Sequence, residues 1–94
     1  MTQVTTKLTD LPEIGSVTAG QLTAVGVADA DQLSAIGAKA AFLLIRDQLD
    51  PGACVQLLQG LEAAVRGLRA PALPPEVKAD LRAWFRALPP AGQD

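Results

Sequence analysis

Apolar residues recur along this chain at helical intervals, and no stretch alternates with the two-residue period of a strand. The last stretch is clearest. Val77, Leu81, Trp84, Phe85 and Leu88 follow one another at helical spacing, and Pro89 and Pro90 end the helix they predict. Upstream, Ala53, Cys54, Leu57, Leu58, Leu61 and Ala64 share one face, while Gln56, Gln59, Glu62 and Arg66 fall outside it. The spacing predicts a long helix to about residue 67 with Cys54 in the buried stripe. Asp50, Pro51 and Gly52 supply its start, with Asp50 as N-cap and Pro51 at the first helical position, where a missing N–H costs nothing. Residues 38–48 are apolar almost all round, interrupted by Lys39, Arg46 and Asp47, and such a helix belongs at the centre of a bundle.

The N-terminal half adds shorter elements. Asp29 caps a helix through residue 36, and Ser16 caps one over residues 17–25, with Gly26 where a left-handed terminal residue is wanted. Residues 8–11 form one helical turn that Pro12 ends, residues 69–75 are a proline-containing connector, and residues 1–7 and 91–94 are a loose arm and a frayed tail. Within this half L-P-E-I-G (residues 11–15) returns as L-S-A-I-G (residues 33–37), and Ala19 and Leu22 are matched at the same offset by Ala41 and Leu44. Each copy combines a short apolar residue, a glycine and an immediate helix start. That is the recipe of a helix-hairpin-helix, in which amide groups at a helix N-terminus face outward and can hold a phosphate. The expected architecture is all-α: a compact five-helix bundle over residues 8–90, SAM- or helix-hairpin-helix-like, containing two such motifs.

Composition supports helix and narrows the chemistry. Fourteen leucines and seventeen alanines outnumber three isoleucines and seven valines, and unbranched or small side chains lose little rotamer freedom in a helix. The net charge of −2 argues against binding nucleic acid by bulk attraction, although residues 51–94 carry +1 and residues 1–50 carry −3. One cysteine and no histidine exclude an internal disulfide, the usual zinc sets and a histidine-based catalytic base. The ten acids are spread over helix surfaces and caps. No catalytic residue, cofactor, metal or small-molecule substrate is expected. No apolar run is long enough to span a bilayer and no signal peptide is evident, so the expected compartment is the cytoplasm.

Four segments together are specific: L-x-D-L-P-x-I-G (residues 8–15), G-V-x-x-x-x-x-L-x-x-I-G-A (26–38), C-V-x-L-L-x-G-L-E-A-A-V-R-G (54–67) and L-P-P-E-x-K-A-D-L (73–81). In this order they resemble the C-terminal domain of the TfoX/Sxy family, bacterial regulators associated with natural competence. The family's usual architecture places a separate α/β domain ahead of this one, so the resemblance implies a stand-alone version.

The candidate residues follow from charge and exposure. Gly37, Ala38 and Lys39 form the better phosphate-binding hairpin, because a base follows the turn and no acid lies in it. Ile14, Gly15 and Ser16 form the weaker one, because Glu13 puts a carboxylate where the phosphate would lie. The alternative is that both glycines serve only turn geometry. Arg66, Arg69, Lys78, Arg82 and Arg86 can form a basic strip, and Leu43 points away from the buried side of its helix as a candidate interface residue. The expected function is a non-catalytic interaction module, a small regulator or adaptor acting through a protein partner or as a homodimer. The alternative is weak, sequence-independent DNA binding through Gly37, Ala38 and Lys39 in a competence or transcription-related role.

Overall fold

Five helices and two single 3-10 turns follow one another along residues 7–89, the part of the chain that the computed structural model describes. A 3-10 turn at Leu8–Asp10 leads to α1 (Ser16–Ala24), α2 (Ala30–Ile36), α3 (Ala38–Gln48) and α4 (Val55–Val65). A second 3-10 turn at Ala70–Ala72 then leads to α5 (Pro75–Arg86). No strand occurs among the described residues, and the fold is all-α. The expected arm and tail lie outside the described residues, except for Lys7, which precedes the first 3-10 turn.

Helix α3 occupies the centre, as its nearly continuous apolar surface requires. It packs against α1, α2 and α4. Ala41, Phe42 and Ile45 are fully buried, joined by Leu22 from α1, Leu33 from α2, Leu58 and Leu61 from α4, and Leu81 from α5. Burying each large apolar side chain contributes about 1.5–3 kcal/mol, so every helix is held mainly by what it places in this one core. Phe42 also meets Trp84 and Phe85 edge-on, with ring centroids 6.1 and 5.8 Å apart, and this clamps α5 onto α3. Arg46 departs from the sequence reading. It interrupts the apolar surround of α3 yet is 9% exposed, with its guanidinium donating to the main-chain carbonyl of Pro89.

The helix ends explain where the segments begin and stop. Asp29 is an extended N-cap whose Oδ1 accepts the Gln32 N–H at 2.9 Å, while Gln32 Oε1 accepts the Ala28 N–H at 2.7 Å. At the end of α1 the Val27 N–H donates to the Leu22 carbonyl and the Gly26 N–H to that of Thr23, a closure that needs the φ of +95° at Gly26. Ser16 does not cap α1: it is the first helical residue, and Gly15 is the N-cap without a side-chain bond. The start of α4 is also corrected. Asp50 Oδ1 accepts the Gly52 N–H at 3.1 Å and the Asp50 carbonyl accepts the Ala53 N–H at 2.9 Å, so residues 50–53 close a turn instead of opening a helix. Helix α4 therefore begins at Val55, and Cys54 is its extended, exposed N-cap rather than part of the core. Helix α5 starts at Pro75, whose fixed φ suits a first helical position.

Candidate functional site

The two isoleucine-glycine corners both launch a helix, α1 from the first and α3 from the second, but they are built differently. In the second, Gly37 alone is the C-cap of α2 and the N-cap of α3. Its φ of +85° and ψ of 163° lie in a region open essentially to glycine alone. Its N–H donates to the Leu33 carbonyl, and its own carbonyl accepts from the Ala41 N–H. In the first corner Gly15 has an ordinary φ of −88°, and the left-handed residue is Glu13, at φ +70°.

Glu13 is held in that conformation by a distant part of the chain. Its Oε2 accepts the N–H of Ala70 at 3.1 Å, an amide at the start of the second 3-10 turn. Its Cβ faces Gly60 of α4, where an added methyl would lie 3.8 Å away. Ile14 is buried, at 5% exposure, while Gly15 and Ser16 are exposed. The first corner thus places its carboxylate against the bundle as a strap. This role was not readable from the sequence, since its partner amide is 57 residues away.

The second corner points the other way. Ile36 is 42% exposed, Ala38 is buried and Lys39 is half-exposed. Lys39 reaches across to α5, with Nζ 3.5 Å from Asp80 Oδ2 and 5.5 Å from the centre of the Trp84 ring. The ion pair is exposed on both sides, so it contributes at most about 1 kcal/mol. The positive charge expected to assist this hairpin therefore has a carboxylate beside it.

The remaining candidates divide. Arg66 pairs with Glu62 at 2.7 Å, one turn away on α4, and Arg69 is exposed in the connector. Arg82 and Arg86 are exposed on α5 and Lys78 is half-buried. Val55, Arg82, Phe85 and Arg86 line one cleft, so the first turn of α4 lies beside the last turns of α5 and the two helices run antiparallel. Arg66 and Arg69 consequently lie toward the opposite end of this pair from Arg86. Leu43 is half-exposed and outside the packed core, whereas the exposed large apolar residues among the described ones are Val17, Ile36 and Leu49. Among the described residues no group of three or more His, Cys, Asp and Glu side chains is placed to hold a metal, and no helix is long and apolar enough to cross a membrane.

These features define a small all-α domain centred on α3, with two unlike helix corners. The model of the TfoX C-terminal domain matches residues 4–85, and the chain belongs to that family. Two crystal structures of proteins from Listeria monocytogenes share the fold. An uncharacterized protein in a triclinic form has a TM-score of 0.84 and 32% identity, over 93% of this chain and 98% of its own. A protein of unknown function in a tetragonal form also has a TM-score of 0.84, with 34% identity over 88% of this chain and 100% of its own. No protein of curated function matches the chain.

Proposed function

We propose that this chain is a non-catalytic interaction module, a small cytoplasmic regulator or adaptor that works through protein contacts, with a partner or as a homodimer. The observation that carries the reading is the use to which each corner puts its charge. Glu13 holds the first corner against the second 3-10 turn, and Lys39 at the second is turned toward Asp80 and Trp84. A phosphate approaching either corner meets a carboxylate nearby. Protein contact needs no such cation, and Val17, Ile36 and Leu49 offer apolar surface for it.

The test pairs cross-linking in the native host, with nuclease treatment before recovery, with titration of labelled duplex DNA at low and then moderate salt. The expected result is a protein cross-link that survives nuclease and no saturable DNA binding. DNA binding that falls steeply with salt and disappears in Lys39→Glu would instead establish the hairpin at Gly37, Ala38 and Lys39 as the functional surface.

A further inference from the structure

Helix α5 keeps its charges on two separate edges. Glu76 and Asp80 lie one turn apart on the edge that also carries Trp84 and meets Lys39. Lys78, Arg82 and Arg86 follow one another at four-residue intervals on the other edge, with Arg82 about 200° around the helix from Asp80. Leu81 points into the core between the two edges, and Phe85 borders the basic one. The acidic edge is thus engaged by α3. The basic edge is bound by no carboxylate of the described residues.

That basic edge opens onto the cleft shared with α4. Val55 and the half-buried Phe85 supply its apolar walls, and the exposed Arg82 and Arg86 stand at its rim. Phe85 is held edge-on against Phe42, so this wall is fixed before anything binds. The cleft is open, with a volume of about 170 Å³. Small-molecule sites typically enclose roughly 300–1,000 Å³, so this one is sized for a single side chain rather than a metabolite. The two guanidinium groups one turn apart match carboxylates presented one turn apart on a facing helix, and each can donate two parallel hydrogen bonds to one carboxylate. A phosphate backbone would satisfy the arginines but leave the Val55–Phe85 walls uncovered. The chain as a whole carries −2, so the attraction for acidic groups is local to this edge.

We infer that the basic edge of α5 and its cleft with Val55 dock an acidic amphipathic helix of a partner protein, which inserts one leucine or aromatic side chain between Arg82 and Arg86. The inference rests on the interaction-module reading and adds the surface and the partner's chemistry to it.

The test titrates ¹⁵N-labelled protein with a synthetic helical peptide rich in Asp and Glu around one central leucine. Three controls accompany it: the same peptide with serine for leucine, a lysine-rich counterpart, and duplex DNA. The expected result is salt-sensitive binding of the acidic leucine peptide, with amide shifts at Val55, Arg82, Phe85 and Arg86. Affinity drops about tenfold or more when the leucine is removed, and similarly in the double variant Arg82→Glu, Arg86→Glu, with Arg82→Gln between. Both arginines are exposed, so the variants keep the fold, which circular dichroism verifies. Peptide binding unchanged in the double variant, no binding at millimolar peptide, or DNA shifting the same amides at lower concentration overturns the inference. A native partner captured equally well by the double variant also overturns this docking edge while leaving the interaction-module reading intact. Recovery of DNA with no protein removes that reading itself.

Discussion

The corners at residues 11–15 and 33–37 share three of their five residues and fold in opposite senses. Ile14 is 5% exposed and Ile36 is 42% exposed. The first corner takes its positive φ at Glu13 and the second at Gly37. The cause is the residue that differs after the leucine. Ser34 lets α2 run to Ile36, so the whole reversal falls on the one residue that remains, and only glycine adopts the backbone it needs. Pro12 forbids a continuous helix there, and the chain turns over residues 11–15 instead, with its strain on Glu13 and its isoleucine directed inward. A repeated motif therefore fixes where a helix starts without fixing which face of the turn is buried.

The sharpest way to break this comparison is to truncate both isoleucines. Ile14→Ala is expected to lower unfolding stability by about 2–5 kcal/mol, and Ile36→Ala to stay within about 0.5 kcal/mol, in chemical denaturation. Equal losses would return the corners to equivalence. Next come the glycines. A Cβ at either meets nothing within 4 Å, so only backbone conformation distinguishes them. Gly37→Ala should cost about 1–3 kcal/mol. Gly15→Ala should change stability by less than about 0.5 kcal/mol, because its poorer capping is offset by a less flexible unfolded chain. The smallest effect concerns Glu13. Both Glu13→Ala and Glu13→Gly remove the acceptor of the Ala70 N–H, but only glycine relieves the left-handed strain, so the glycine variant should be the more stable by about 1 kcal/mol. Identical midpoints for the two would mean the backbone at Glu13 is not strained.

Sequence patterns were most legible where two local signals agreed. The apolar surround of residues 38–48 and the Asp29 cap both coincide with the observed elements, because periodicity and capping are satisfied within a few residues. The start of α4 was misread because an aspartate before Pro-Gly serves an N-cap and a tight turn with the same side-chain chemistry, and the turn won. Cys54 left the core as a direct result. What escaped entirely depends on residues far apart in the chain: Arg46 is buried against a carbonyl 43 positions away, and Glu13 is anchored 57 positions away. The cationic residues of α5 were visible as a strip. Their neighbour Val55 was not, since only the antiparallel packing of α4 and α5 brings it there.

A joint made of one residue has no slack. Adding or deleting an amino acid at Gly37 would swing α3 by about 100° about its axis or reset α2 by as much, carrying Phe42 and Ile45 out of register with every helix they touch. Between Leu49 and Val55 the chain closes a turn whose Pro51 and Gly52 are exposed, and a change at those two positions can be absorbed. Natural length variation in this part of the domain should therefore accumulate after α3 and be absent before it, a pattern that aligned relatives would reveal.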